Sequence, residues 1–395
     1  MLQRRLRVGR FFGIGLYLHW SLMLMVAYVV AITASGGIQE IFWGMTQLGG
    51  MFVCVTLHEY GHALAARALG IGTADITLLA IGGLARLKRL PRIPMHELIV
   101  AVAGPAVNVV IVAGLLGVLW VIDGDLWRRV QTIVASVVWD PDNPAAMAAA
   151  SETFDVMSTG GPLAFLLVML VVNTALVIFN FIPAFPMDGG RVLRSILAMI
   201  LDYRVATRLA SRLGLFLAMG MGVLALSTWP PALVPLGIAV FIAYAGNMEA
   251  RHVEMTERVR GIVAADVVVP MNEGISMDAS LDEIMARWTT SAWARLPVVA
   301  VDNIVVGSID LASVAAASTQ GSTTIASELI DRERDPGSIR ASEPLEDVLP
   351  SLAKDYRQLP VVDDGGRLVG MLDLDTMLAR HRLRASQHSV LDREA

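Results

Sequence analysis

Six apolar stretches constrain this chain more than any other feature, at about 12–34, 42–66, 98–122, 161–186, 213–229 and 232–248. Four of them are near or above the roughly 20 residues that a helix needs to cross hydrocarbon. The last two are about 17 residues each, and Pro230-Pro231 between them reads as a tight turn joining two short spans. Composition agrees: 55% of the 395 residues are hydrophobic and 17% are charged, too few charges to cover a soluble chain of this size. The excess ends near Glu249 and Arg251, and beyond them Asp, Glu and Arg restore an ordinary soluble composition. The first stretch is too long for a cleaved signal peptide, lacks a small-residue cleavage site and is followed by further spans. The expected fold is a multi-pass α-helical membrane protein of about six transmembrane helices, with a C-terminal α/β domain.

Charge orients the spans. Arg4, Arg5, Arg7 and Arg10 precede the first; Arg67, Arg86, Lys88, Arg89 and Arg92 lie between the second and third; Arg191, Arg194, Arg204, Arg208 and Arg212 lie between the fourth and fifth. These 14 basic residues face only Arg128 and Arg129 in the alternate loops. The bias places both termini and the 67–97 and 188–212 loops in the cytosol, and the 123–160 loop outside. The expected location is the plasma membrane. Cys54 is the single cysteine, so no disulfide framework exists.

The second span ends His58-Glu59-Tyr60-Gly61-His62 inside an apolar setting. Positions i and i+4 share a helix face, so both imidazoles can bind one metal, with Glu59 placed to activate water. Core histidines beside a buried glutamate are the bland alternative. In a bilayer an unpaired carboxylate costs at least ~2.5 kcal/mol and marks function. A catalytic zinc held by two histidines needs a third protein ligand at matching depth. The fourth span runs back toward the cytosol and ends at Pro183, Pro186, Met187, Asp188, Gly189, Gly190 and Arg191, which brings Asp188 to that level. The prolines prevent regular helix there, and broken backbone at membrane depth is tolerated beside a protein cavity or water. The competing reading of Asp188 is a loop residue that caps the next helix.

The His58–His62 span, the Pro186-Met187-Asp188-Gly189-Gly190-Arg191 segment and Ala103-Gly104-Pro105-Ala106-Val107-Asn108 resemble the site-2 protease family of intramembrane metalloproteases, in the bacterial and archaeal branch with C-terminal CBS domains. The resemblance covers essentially the whole chain. It implies His58, His62 and Asp188 as zinc ligands, one Zn2+ per chain, and Glu59 as the catalytic base. It sets Asn180 next to the metal, and it makes Ile81 to Arg86, with Gly82, Gly83 and Leu84, a membrane-dipping hairpin that holds substrate as an added strand. His19-Trp20-Ser21 also fits the family pattern.

Each role has a chemical reason. Glu59 can take a proton from water and return it to the leaving amine. The side-chain amide of Asn180 is the best donor to the oxyanion that develops in a low-dielectric site. Asn180 and Asn173 share a face, and hydrogen bonding between helices is the alternative for both. Asn108 reads as packing beside the Gly104-Pro105 kink, and Cys54 as a small packing residue. His96 and Glu97 read as solvated cap residues beside Pro94. His19, placed mid-span, either lines the cleft or makes a structural hydrogen bond.

The tail repeats with a period of about 63 residues: Leu281-Asp282-Glu283-Ile284-Met285 recurs from Leu345, and Leu296-Pro297-Val298-Val299 recurs from Leu359. Each copy reads helix, strand, turn, strand, helix, and the pair resembles two CBS motifs forming one module. Family members hold adenosine ribose with an Asp three residues after a Thr or Ser. Here Asp310 with Ser313, and Asp373 with Thr376, invert that order, so adenine-nucleotide binding is doubtful. Dimerisation or docking through the module stays open beside ligand sensing. The expected division is 1–250 membrane domain, 251–264 linker, 265–322 first CBS motif, 323–385 second motif and 386–395 tail.

The expected reaction is hydrolysis of a peptide bond in or near the transmembrane segment of a single-span protein, with the bilayer as medium and the CBS pair as regulator. The resemblance extends the substrate class to membrane-bound regulators such as anti-sigma factors. No nucleic-acid partner is expected. A CBS-gated transporter or an inactive membrane scaffold is the rival. A transporter needs paired polar groups along a path, whereas the ionisable groups here converge on one constellation.

Overall fold

The computed structural model describes residues 5–80, 82–87, 93–140, 143–289, 291, 293–319, 324–331, 335, 337–348 and 357–373. Arg4, Ile81, Lys88, Arg89, Arg92, Thr376 and the 386–395 tail therefore lie outside the described residues. The chain divides into two compact units, Met1–Val253 and Glu254–Ala395.

The first unit opens with strands β1 (Arg5–Phe11) and β2 (Ile14–His19), which form an antiparallel hairpin. This corrects the expectation that 12–34 is one span. Phe12 and Gly13 turn the chain with φ of 50° and 79°. In β2, Ile14 and Leu16 are buried on one face, which is a period of two rather than a helical one. Helix α1 (Leu22–Thr33) follows, then a single 3₁₀ turn at Ala34–Gly36 and the long α2 (Gly37–Ala68). These helices form the crossover that a parallel β2–β3 pair demands. Strands β3 (Thr73–Leu79) and β4 (Gly82–Leu87) complete a sheet of order β1-β2-β3-β4, with β4 at its edge.

Helix α3 (Pro94–Ile122) begins on Pro94. The expected 123–160 loop holds two helices, α4 (Gly124–Trp139) and α5 (Pro144–Ser158), each capped by an Asx side chain: Asp123 accepts from the N–H groups of Asp125 and Leu126, and Asn143 from that of Ala145. Leu126 packs with Leu119, Leu166 and Leu167, which ties α4 to the ends of α3 and α6 (Pro162–Phe181). Then come α7 (Asp188–Ala198), α8 (Tyr203–Ser227) and α9 (Leu233–Arg258). The last two are longer than their apolar cores because polar turns extend them.

Among the described residues five helical segments are long and apolar enough to cross a membrane: Leu22–Ala68, Pro94–Ile122, Pro162–Phe181, Tyr203–Ser227 and Leu233–Glu257. The sequence-based expectation is about six. Helix α1, at 12 residues, is too short to span alone and turns back at Ala34–Gly37 into α2, so Leu22–Ala68 begins and ends on the side of the sheet that β2 and β3 share.

The second unit contains α10 (Ala264–Val267), β5 (Val269–Pro270), β6 (Ile275–Ser276), α11 (Leu281–Thr289), β7 (Arg295–Val299), β8 (Val305–Asp310), α12 (Leu311–Thr319), β9 (Ile339–Arg340), β10 (Gln358–Val362) and β11 (Leu368–Asp373). The repeat is visible in register: Arg295 pairs with Asp310 across β7–β8, and Gln358 with Asp373 across β10–β11. The sheets run β6-β7-β8 and β5-β11-β10-β9. β5 belongs to the second repeat's sheet, and Val259, Ala264 and Val267 pack with Leu345, Leu359 and Leu372. The 259–270 segment, expected to be linker and the start of the first motif, thus completes the core of the second.

Candidate metal centre

Helix α2 presents His58 and His62 one turn apart, both buried, and Asp188 at the start of α7 meets them. Asp188 Oδ2 lies 3.3 Å from His58 Nε2 and 3.1 Å from His62 Nε2, and the two Nε2 atoms are 3.1 Å apart. The outward nitrogens are committed elsewhere: His58 Nδ1 faces Asn108 Oδ1 at 2.6 Å, and His62 Nδ1 faces the Val100 carbonyl at 2.7 Å. Both partners are acceptors, so both Nδ1 atoms carry the proton and both Nε2 atoms offer lone pairs. Two lone pairs and a carboxylate oxygen aimed at one point repel one another unless a cation lies between them. The donor set of two imidazoles and one carboxylate suits zinc with an open fourth position. These three are the group of His, Cys, Asp and Glu among the described residues that could hold a metal ion.

Close approach explains the glycines nearby. A Cβ on Gly104 of α3 would lie 2.2 Å from His62 Nε2. A Cβ on Gly189 or Gly190 would meet the 181–185 backbone at 2.7 Å or less. They let the first turn of α7 press onto that segment and carry Asp188 inward.

Glu59, one residue after His58 and three before His62, points toward the sheet. Its Oε2 accepts the Ala85 N–H at 2.9 Å, and a Cβ on Gly83 would sit 2.5 Å from Glu59 Cγ. Gly82 has φ of 141°, a backbone that other residues rarely adopt. Ala85 turns its N–H away from β3, and by strand alternation Gly83 shares that open edge. Leu84 is exposed. The edge is held in register by buried Asp75 on β3, which binds Arg86 of β4 through both oxygens and Arg5 of β1 at 3.0 Å. Burial raises the Asp75 carboxyl, but the hydrogen bonds of Arg86 and Arg5 outweigh it and hold it below the usual carboxylate range.

The other expected residues sort differently. Asn180 is half-buried near the end of α6 and makes no side-chain hydrogen bond among the described residues. His19 is not mid-span; it closes β2, and its Nδ1 accepts from the Ser21 hydroxyl and N–H. Ser21 Oγ in turn accepts the Ala80 N–H at 3.2 Å, so this turn anchors the β3–β4 hairpin. Glu97 is not a solvated cap. It is 4% exposed and binds Arg194 of α7, itself 1% exposed, which also reaches Glu249 of α9 at 2.7 Å. Arg194 is therefore a buried clamp rather than a loop cation. Asn108 is more than packing, since it contacts a metal-facing histidine. No one-chain signal marks either role, although buried polar residues in apolar helices are the place to look.

Comparison with known proteins accords with this chemistry. Residues 46–221 match Peptidase family M50, and residues 326–381 match the CBS domain. A zinc metalloprotease of Methanocaldococcus jannaschii is 29% identical over 74% of this chain and 75% of its own. A protein of Synechocystis sp. that bears a zinc-metalloprotease name is 28% identical over 94% of both chains. A solved site-2 protease from Methanocaldococcus jannaschii, 28% identical, covers 63% of this chain and 96% of its own with a TM-score of 0.40. The chain is a membrane metalloprotease. Its residues 46–221 are similar to peptidase family M50 and its residues 326–381 to the CBS domain, and its cofactor is zinc.

Proposed function

We propose that the chain hydrolyses peptide bonds within or beside the transmembrane segments of membrane-anchored proteins. The observation that carries this reading is the placement of Glu59 between the metal-facing histidines and the open edge of β4. Zinc held by His58, His62 and Asp188 would supply Lewis-acid activation of water and of the scissile carbonyl. Glu59 takes the water's proton and passes it to the leaving nitrogen. A substrate helix must unwind to expose its bond, and the freed strand finds a template in β4. Its carbonyl would take over the Ala85 N–H, which releases Glu59 from that contact. Asn180, with its amide uncommitted, is suited to donate to the developing oxyanion. The test is a comparison of membrane proteomes from cells with the native chain and with Glu59→Gln. Single-span proteins should accumulate uncut in the variant, and their cut sites in the native cells should map inside the span. Cuts confined to soluble flanks would refute the reading.

Two substitutions probe the packing. Gly83→Ala is expected to lower activity at least tenfold because its methyl strikes Glu59. Gly104→Ala should displace His62 and lower the metal content itself. Unchanged zinc in a folded Gly104→Ala chain would contradict the geometry.

Both termini and the second unit are assigned to the cytosol, from the basic residues of the 67–97 and 188–212 segments. In a Cys54→Ser background, a cysteine at Arg260 should resist an impermeant maleimide in intact cells, and one at Asp125 should react. The reverse pattern would overturn the orientation.

The CBS pair is assigned a docking or dimerising role in regulation. Asp310 Oδ1 accepts the Ser313 N–H at 2.8 Å, and so fills the α12 N-terminus with a carboxylate where a phosphate would otherwise bind. Burial raises Asp310, but the Ser313 and Ala312 hydrogen bonds and Arg295 hold it below the usual range, so it stays charged near neutrality. Asp373 is engaged by Gln358 at 3.2 Å. ATP is expected to bind the full chain with Kd weaker than about 100 μM, roughly −5.5 kcal/mol. Tighter binding by calorimetry would restore a nucleotide-sensing role.

A further inference from the structure

Two polar side chains in the apolar centre of the first unit connect to the metal-facing histidine, and the hydrolytic reading does not use them. Asn108 on α3 and Asn173 on α6 are both 0% exposed. Asn173 Nδ2 lies 2.8 Å from the Met169 carbonyl and 3.2 Å from Cys54 Sγ. Asn173 Oδ1 accepts from Asn108 Nδ2 at 2.8 Å, and Asn108 Oδ1 meets His58 Nδ1 at 2.6 Å. The direction of this series is not arbitrary. A backbone carbonyl only accepts, so Asn173 must turn its NH2 toward Met169 and its oxygen toward Asn108. Asn108 must then donate to that oxygen and turn its own oxygen toward His58. His58 has one choice left: the proton sits on Nδ1 and the lone pair on Nε2, where the other two metal-facing atoms are.

We propose that Asn173 and Asn108 are positioning residues, a one-way hydrogen-bond relay that fixes His58 in its metal-binding tautomer. The relay starts at a main-chain carbonyl on α6, so the histidine's chemistry is set by the docking of α6 on α3 and α2. In water a wrong tautomer corrects itself at little cost. In this dry interior a flipped Asn108 amide would aim an N–H at Nδ1, and His58 would then carry its proton on Nε2 and present no lone pair. A ligand histidine supported in this way ordinarily loses about 10- to 100-fold in metal affinity when the support is removed.

The inference rests on His58 being a metal ligand, and the two can fail separately. If His58→Ala keeps stoichiometric zinc, the ligand assignment is wrong. The relay has its own test: zinc affinity, read by chelator competition on the purified full chain in detergent, for Asn108→Asp, Asn108→Leu, Asn173→Asp and Asn173→Leu. Aspartate keeps the acceptor that the relay requires at each position and, as the neutral acid, one O–H donor for the next acceptor, whereas leucine has similar bulk and no polar atom. Asp variants should hold zinc within a few-fold of the native chain, and Asn108→Leu should lose about 10- to 100-fold, with a smaller loss for Asn173→Leu. A role as packing between helices predicts the reverse ranking, because leucine is at home in an apolar core and a carboxylate is not. Leu variants that bind zinc as tightly as the native chain would overturn the relay. So would folded Asp variants that lose as much as the Leu variants. If both substitutions at one position prevent folding, the ranking at the other position decides.

Discussion

Glu59→Gln is expected to retain the metal and the fold while cleavage falls more than a hundredfold. Glutamine has the same length and keeps an oxygen that can accept the Ala85 N–H, so the contact between α2 and β4 persists. The ligands His58 and His62 share no hydrogen bond with the substituted group among the described residues and keep their Asn108 and Val100 partners. Only the proton acceptor is lost. General acid–base catalysis contributes about 10²- to 10⁴-fold, and here one carboxylate is assigned both the removal and the return of the proton. Single-turnover cleavage of a membrane-anchored substrate in liposomes measures it. Residual cleavage above about 1% of native would mean that another base operates.

The largest expected effect on stability is that of Arg194→Met. The guanidinium lies where α3, α7 and α9 meet, bound to Glu97 and Glu249 and stacked 4.9 Å from the Phe185 ring. Removal of one partner from a buried ion cluster leaves uncompensated charge and costs about 3–5 kcal/mol, a large part of the roughly 5–15 kcal/mol that holds a domain together. Because α7 begins with Asp188, the loss should also loosen the candidate ligand. Thermal unfolding in detergent should show a marked fall in Tm, and Arg194→Met with Glu97→Gln should recover part of it. An unchanged Tm for the single variant would show that the cluster is not closed.

Sequence and structure agree best where chemistry and periodicity coincide. His58, Glu59 and His62 are legible because i, i+4 imidazoles around a glutamate, set in an apolar helix, suit a metal far better than they suit a packed core. Asp188 follows from the direction of its span, which sets its depth. The β1–β2 hairpin is hidden because an apolar strand leading into an apolar helix reads as one long span, and only the Phe12-Gly13 turn marks the break. Glu97 and Arg194 mislead because each looks solvated alone. Their pairing spans 97 positions in sequence and depends on how α7 folds back. Asn108 and Asn173 pose the same difficulty: an amide in an apolar helix announces a partner but not which one. The repeat in the tail is plain, yet the attachment of 259–270 to the second motif depends on an edge of β11 that no local pattern reveals.

The claim on which the rest depends is that His58, His62 and Asp188 form one metal centre. The most direct measurement is the zinc content of the purified full chain beside a His58→Ala, His62→Ala variant and an Asp188→Ala variant, each checked for fold by its Tm. The native chain should hold about one zinc per chain, the double variant none, and the Asp188 variant much less under mild chelation. Stoichiometric zinc in a folded double variant would contradict the assignment.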